Sequence, residues 1–423
     1  MSKYKSQLMK TLTGRGFLYQ CTDEAALDAL AAKGGLPGYI GFDCTAPSLH
    51  VGSLVQIMML RILQKSGGRP IVLLGGGTTK IGDPSDKDKS RPILTPEKIE
   101  ENKNGIKKVF AKLLDFDGPN AAIMVDNADW LDKLGYIEFL RDIGKHFTVN
   151  KMVALESVKR RLDNEQPMTF LEFNYTLLQS YDYLELYRRH GCRLQLGGSD
   201  QWGNILGGAD LTRRLEGAEV YGFTTSLITT ASGGKMGKTA DGARWLNADE
   251  SLGKQFTLSP YDYWQFWRNT EDADVGRFLK LFTDLPLDEI AKLEALEGAD
   301  INLAKIRLAN EATTMLHGAD AAQSAEQTAQ KTFSGGLSAG LPTFEITKDG
   351  WDIARGTLAL LLAGQLVKSK GEAKRKIAEG AVRVNDVKIT NLTTMHNYDD
   401  VLPDVDAFKV QIGKKRIVLV KPV

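Results

Sequence analysis

The sequence predicts an α/β protein. The expected plan is a doubly wound parallel sheet, then an α-helical region, then a small α+β module at the carboxyl end. Three observations carry this. Apolar strand-like runs alternate with helical patterns through the first 230 residues. Runs such as Pro70-Ile-Val-Leu-Leu74 lack polar alternation, as in strands covered on both faces. Strand signals then thin out between residues 260 and 330, and a Gly- and Ser-rich stretch, Ser334 to Pro342, precedes the last module.

The elements follow in order. The amino-terminal stretch has basic residues and no acid before Asp23, and reads as the first helix of a cytoplasmic protein. Gly38 to Phe42 is a short buried strand. Leu54 to Leu63 is apolar except for Gln56 and Arg61, a helix buried on most sides and stopped at Gly67-Gly68. Pro70 to Leu74 completes a βαβ unit. Ala121 to Val125 and Cys192 to Leu196 are further strands. The expected domains are a sheet-based α/β domain at 1–230, a loop and helical domain at 231–333, a linker at 334–350 and a terminal module at 351–423. In such sheets ligands sit beyond the carboxyl ends of strands, so the chemistry belongs in the loops after Phe42, Leu74 and Leu196.

Composition excludes several classes. The 423 residues are 42% hydrophobic and 25% charged, as in ordinary globular proteins. Net charge is +1, but residues 351–423 hold 13 Lys and Arg against 8 Asp and Glu, a weak pointer to a polyanion partner. The three cysteines are widely spaced, with no CxxC and no Cys/His cluster, which speaks against a disulfide framework or a zinc site and suits a reducing compartment. No apolar run approaches the roughly 18 residues of a membrane span.

Five stretches are candidate sites, each with a plainer alternative. In "SLHVGS" a helix start aims free N–H groups at the crevice, where His50 can donate to a phosphate and Gly52 lets a flat ligand approach; a capping His is the alternative. In "GGGTTKIGDPSDKDKSR" three glycines after a strand suggest a phosphate cradle, but the dinucleotide fingerprint fails because Lys80 stands where a Gly is needed; the loop offers Asp83 for an amino group and Lys87 and Arg91 for polyphosphate, and a solvated turn is the alternative. In "FNYTLLQSYDY", Tyr175, Gln179 and Asp182 share one helix face, as a ligand wall or a buried polar network. "LQLGGSDQWGN" presents Gly198, Asp200 and Gln201 after a strand, for a ribose or as a turn and cap. "SGGKMGKTADG" is a near-miss to the Walker phosphate loop, broken at Ser232, and reads as a loop carrying Lys235, Lys238 and Thr239 or as a surface turn.

Together, in this order, the five stretches resemble the bacterial tyrosyl-tRNA synthetases of class I. "SLHVGS" matches their HIGH signature and "KMGKT" their KMSKS signature. "GQLVKSKGEAKRKIAEGAVRVNDVKI" resembles the small RNA-binding module that ends the family. The resemblance spans roughly residues 10 to 420 and implies a Rossmann-like catalytic domain. It implies two steps: tyrosine and ATP give tyrosyl-adenylate and pyrophosphate, and the tyrosyl group then passes to the 3′ end of tyrosine tRNA.

Carried over by residue, the resemblance places Tyr39 and Asp182 on the substrate phenol and Asp83, Tyr175 and Gln179 on its amino group. Gln201 lies near the carboxyl, Gly198 and Asp200 at the ribose, and Asp43 near the reacting centre, with Gly52 in the ATP site. Thr45, His50, Lys87, Arg91, Lys235, Lys238 and Thr239 surround the phosphates. Lys368, Lys370, Lys374, Arg375 and Lys376 meet tRNA. ATP is a substrate carrying Mg2+; no tightly bound cofactor and no protein metal site are expected. A homodimer is implied, with the region from Trp130 to His146 as a contact. Ser53 departs from the family, standing where its second signature His is expected, and Asp86 puts a carboxylate into a cationic loop. The alternative is a catalytically inactive RNA-binding paralogue.

Overall fold

The computed structural model describes residues 3–83, 94–234, 236, 238–239, 242–333, 341–347, 356–397, 400–403, 405–413 and 416–423. The chain forms two compact units: residues 1–258 with 269–316, and residues 259–268 with 317–423.

The first unit is built on a six-stranded sheet. Its strands are β1 (Gln20–Cys21), β2 (Pro37–Asp43), β3 (Arg69–Gly75), β4 (Ile123–Asp126), β5 (Leu194–Gly198) and β6 (Tyr221–Thr225). They lie in the order β1-β6-β5-β2-β3-β4, all parallel except β1 at the edge. Each strand foreseen from the sequence is present, shifted by one or two residues at its ends. β1 and β6 were not foreseen: one is two residues long, and the other, Tyr-Gly-Phe-Thr-Thr, carries Gly and Thr where an apolar run was sought.

The order places the switch of winding direction at β2 and β5. From β2 the chain winds outward through β3 and β4, and it returns on the other side with β5 and β6. β2 pairs with β3 along all seven of its residues. With β5 it pairs only at Gly38–Leu194 and Tyr39–Gln195. Beyond Tyr39 the two strands part, and a crevice opens at their carboxyl ends, as expected at a switch point.

The helix Val51–Lys65 follows β2 and packs on β2, β3 and β5, burying Leu54, Ile57, Met58 and Leu60 among others. Burial of each such side chain contributes about 1.5–3 kcal/mol. The helix ends where Gly67 takes φ 85°, a conformation that a side chain disfavours. A second helix, Pro96–Leu113, is capped by the Thr95 hydroxyl and buries Asn102, whose Nδ2 donates to the Cys44 carbonyl at 2.8 Å. That bond holds the loop between β2 and its helix. So does packing at Gly105, where a Cβ would stand 1.9 Å from the Pro47 carbonyl oxygen.

In the second unit, β9 (Thr343–Ile346), β10 (Val382–Val384), β11 (Val387–Ile389), β12 (Phe408–Ile412) and β13 (Arg416–Pro422) form a sheet in the order β11-β10-β12-β13-β9. β9 runs parallel to β13. Leu360, Leu361, Ile377, Val382, Phe408 and Val420 form its core. Asn385 and Asp386 have φ 49° and 66°, the tight hairpin bend read from AVRVNDVKI. Part of the stretch expected as linker is therefore sheet. The helices Pro260–Arg268 and Ala319–Phe333 pack on each other within this unit, so its contacts begin earlier than residue 351. β7 (Lys238–Thr239) and β8 (Gly242–Ala243) make a small hairpin in the first unit.

Gly105→Ala should destabilise the protein by about 1–3 kcal/mol in urea unfolding, because overpacking against a backbone carbonyl outweighs the better helix propensity of Ala. An unchanged or raised unfolding midpoint would contradict the packing described for this loop.

Candidate active site

The crevice is one cavity of about 290 Å³, and residues from four of the five candidate stretches share its wall; the described residues of SGGKMGKTADG do not line it. β2 and the following loop supply Tyr39, Asp43 and Thr45, and the helix start supplies His50 and Ser53. The loop after β3 supplies Asp83. The helix Tyr175–His190 presents Tyr175, Gln179 and Asp182 on one face, at spacings of four and three. The turn after β5 supplies Gly198, Asp200 and Gln201.

At the deep end lies Asp182, 2% exposed. Trp130 Nε1 donates to its Oδ1 at 2.8 Å, and Asn127 Nδ2 donates to its Oδ2 at 3.0 Å. Burial pushes this carboxyl up to about 7, against the two donors that favour its ionised form. Beside it Tyr39 is 1% exposed, and its hydroxyl has no partner. Burial and the Asp182 charge raise the Tyr39 phenol well above its ordinary value, so it stays protonated and able to donate. Gln179 Oε1 and Gln195 Oε1 are also buried without partners. Unpaired polar atoms cost free energy unless something meets them. Three of them on one wall mark a place for a polar ligand.

Asn127 connects this end to the loop above. Its Oδ1 accepts from the Gly77 N–H at 2.8 Å, and its Nδ2 also donates to Thr78 Oγ1 at 3.1 Å. Thr78 passes the contact on, donating to Asp43 Oδ1 at 3.0 Å. The glycines of this loop make room for carboxylates. A Cβ on Gly75 would stand 2.6 Å from Asp43 Oδ1, and one on Gly76 2.3 Å from Asp126 Oδ1. Asp126 in turn accepts from the Gly76 N–H at 3.1 Å and from Lys103 Nζ at 2.7 Å. The triple glycine that suggested a phosphate cradle thus seats protein carboxylates.

Midway along the cavity, Gln201 Nε2 donates to Asp83 Oδ2 at 3.1 Å and to Asp200 Oδ2 at 2.9 Å. Two carboxylates around one donor suit a cation. At the outer end His50 is the N-cap residue of its helix but makes no side-chain capping bond. Gly52 is not part of the wall: the space beside it holds the His50 ring, 2.8 Å from where a Cβ would be, and the Met236 carbonyl oxygen at 3.0 Å. Lys87, Arg91, Asp86 and Lys235 lie outside the described residues, and Lys238 and Thr239 are described only as backbone in β7. Lys368, Lys370, Lys374, Arg375 and Lys376 belong to the second unit, at and along the helix Lys370–Ala378. Among the described residues no group of three or more His, Cys, Asp or Glu lies placed to hold a metal ion.

Comparison with known proteins shows the family. The family described as tRNA synthetases class I (W and Y) matches residues 33–334, and the tyrosine--tRNA ligase SYY-like C-terminal domain matches residues 333–420. The chain belongs to the class I tRNA synthetase family. It is 58% identical over 424 residues to the tyrosine--tRNA ligase of Caulobacter sp. (strain K31), covering 100% of this chain and 99% of that one. It is 55% identical over 423 residues to the tyrosine--tRNA ligase of Rhodospirillum rubrum, with the same coverage. Among solved structures it is similar to a C-terminally truncated mitochondrial tyrosyl-tRNA synthetase of Aspergillus nidulans, with TM-score 0.68 and 29% identity over 78% of this chain and 95% of that one.

Sequence reasoning missed four residues of this synthetase's site. Asn127 and Trp130 follow the carboxyl end of β4, the position that marked the other loops, and the dipeptide Asp126-Asn127 was the available signal. Trp130, at the start of the region that the resemblance offers as a dimer contact, is 4% exposed with its indole N–H on Asp182. Gln195 sits in the strand part of "LQLGGSDQWGN", where it reads as one polar residue in an apolar run, and Trp245 lies beyond the signature loop and outside every motif.

Replacing Asn127 by Ala leaves Asp182 Oδ2 and the Gly77 N–H short of a partner. The expected loss is about 2–4 kcal/mol of stability in urea unfolding, from buried groups left without their bonds. A loss below about 0.5 kcal/mol would mean that the network does not hold the site.

Proposed function

We infer that this chain is a tyrosine--tRNA ligase, activating L-tyrosine with ATP and passing the tyrosyl group to the 3′ end of tyrosine tRNA. The observation that carries the reading is the single cavity joining Asp182 to His50, in a chain 58% identical along its whole length to curated ligases.

The substrate phenol lies at the deep end, donating to Asp182 and accepting from Tyr39. Phenylalanine there would leave the Tyr39 hydroxyl unmet and Asp182 without its hydroxyl donor. A pocket that bonds a hydroxyl rejects the analogue lacking it far more strongly than an apolar pocket can, and tyrosyl-tRNA synthetases are themselves the usual illustration. Asp83, Tyr175 and Gln179 take the ammonium group, and Gln201 lies beside the carboxylate. Gly198 and Asp200 meet the ribose of ATP. Thr45, His50, Lys87, Arg91, Lys235, Lys238 and Thr239 serve the phosphates, with Asp43 near the reacting centre.

The tyrosine carboxylate is already ionised at neutral pH, so its attack on the α-phosphorus needs no general base. The barrier is alignment and charge on the pentacoordinate phosphorus and departing pyrophosphate, which fixed donors and cations lower. ATP enters as its magnesium complex, so that ion belongs to the substrate.

The terminal module, with the helix Lys370–Ala378 beside the Arg383–Lys388 hairpin pair, binds tRNA phosphates. Residues 1–230 carry the chemistry, 231–333 the signature loop and helices, and 351–423 tRNA binding. The protein works in the cytoplasm, in keeping with its three free thiols. It is a homodimer: Tyr136, Ile137, Val149 and Phe170 are each at least 60% exposed, and a second copy covers them.

Tyrosine-dependent ATP–pyrophosphate exchange tests the reading. Exchange with tyrosine and little with phenylalanine is expected; no exchange would favour the inactive RNA-binding paralogue. Because Asp182 sits near 7 in the free protein and accepts from the phenol only when ionised, tyrosine Kd should be flat above pH 8 and weaken about tenfold by pH 6. Phenylalanine binding should show no such rise, and equal profiles in equilibrium dialysis would refute the assignment. Changing Lys370, Lys374 and Arg375 to Ala should spare exchange, weaken tRNA binding and reduce the slope of log affinity against log salt by about 2–3.

A further inference from the structure

The second signature histidine of the family is absent here, leaving His50 with Ser53 at the outer end of the cavity. His50 makes no capping bond of its own. An aromatic contact to its ring comes from another part of the chain. On either side of His50 the backbone is tied to the segment that follows the signature hairpin. The Val51 N–H donates to the Arg244 carbonyl at 2.8 Å, and the Leu246 N–H donates to the Leu49 carbonyl at 2.8 Å. These bonds flank an antiparallel bridge between His50 and Trp245. A pair placed this way, between two ladder bonds, brings its side chains close on one face.

The two rings meet edge to face, centroids 6.3 Å apart at 62°. Phe256 supports the indole from elsewhere, at 5.4 Å and 76°. Such contacts have the geometry of favourable aromatic pairs. The imidazole also lies against the helix start, where only Gly52 leaves room for it. The ring thus packs against both Gly52 and the indole. Trp245 and His50 line the same cavity. Trp245 also follows β8 directly, separated from it by Arg244 alone, so the bridge fixes where the hairpin carrying Lys238 rejoins the body of the unit.

We propose that Trp245 is a positioning residue for adenylate formation, holding the His50 imidazole towards the nucleotide and anchoring the outgoing strand of the signature hairpin beside it. This rests on the reading of His50 as a phosphate-side group. Trp245 supplies by packing part of the order that a second signature side chain would otherwise supply. It acts on the step in which charge develops, so it should govern turnover more than tyrosine binding, since Asp182 and Tyr39 lie at the other end of the cavity.

The test is tyrosine-dependent ATP–pyrophosphate exchange with Trp245→Ala, Trp245→Phe, His50→Ala and the Trp245→Ala/His50→Ala double variant. Tyrosine equilibrium binding confirms that each variant is folded. Trp245→Ala should lower kcat at least tenfold, with the tyrosine KM within twofold of the parent, and Trp245→Phe should restore kcat to within threefold. In the His50→Ala background, Trp245→Ala should cost less than a further threefold, because the two act through one ring. If the Ala variant does not bind tyrosine, Trp245→Leu replaces it with the same expectations. Unchanged kcat in the Ala or Leu variant overturns the proposal, as do losses that simply multiply with that of His50→Ala, or a tyrosine KM that rises as far as kcat falls. A normal exchange rate for His50→Ala overturns the reading of His50, and the role of Trp245 with it. A slow His50→Ala beside a normal Trp245→Ala overturns the Trp245 proposal alone.

Discussion

A carboxylate removed from water has to be held, and the way Asp182 is held organises the rest of this site. Burial alone opposes its ionised form. Trp130 and Asn127 offset that cost with one N–H to each oxygen. Asn127 can do so only because its own carbonyl oxygen is engaged by the Gly77 N–H, which orients the amide. The amide is therefore bound on one side to the β3 loop and on the other to a helix that arrives 55 residues later. Through Thr78 the same network reaches Asp43 near the middle of the cavity. On the proposed reading, phenol selection and the geometry of the nucleotide end both depend on this one hydrogen-bonded chain.

The sheet supplies the space for that chain. Had β2 and β5 stayed paired along their length, their carboxyl ends would be closed by ladder bonds. Their separation after Tyr39 and Gln195 exposes the strand ends that become the cavity wall. That wall bears Asp43, Asp83, Asp182 and Asp200 and no Lys or Arg among its described residues. Such a wall suits an ammonium group and repels polyphosphate. The candidate cations Lys87, Arg91, Lys235 and Lys238 belong to two other stretches of the sequence, while Val51 to Leu54 begin a helix whose positive end faces the outer part of the cavity.

What was legible in the sequence follows from these constraints. The helix Val51–Lys65 and strands β2 and β3 have long apolar runs, and their pattern is set by burial that a single sequence displays. The shared face of Tyr175, Gln179 and Asp182 follows from helical spacing alone, and the structure puts all three on one wall. Asn127, Trp130 and Trp245 were not legible, because their importance lies in what they touch across the fold. Strand β9 was hidden for a similar reason: Thr-Phe-Glu-Ile becomes a strand because β13 pairs with it, and its own sequence looks like linker. The glycines of the β3 loop read from sequence as a phosphate cradle, but the groups that approach Gly75 and Gly76 are Asp43 and Asp126.

The account stands or falls on where tyrosine sits. A crystal structure with a non-hydrolysable tyrosyl-adenylate analogue tests it most directly. The account predicts the phenol oxygen within hydrogen-bonding distance of both Asp182 and the Tyr39 hydroxyl, the ammonium beside Asp83 and Gln179, and the phosphate towards His50. An analogue bound with its ring outside the cleft between β2 and β5, or with Asp182 still bonded only to Trp130 and Asn127, would contradict it.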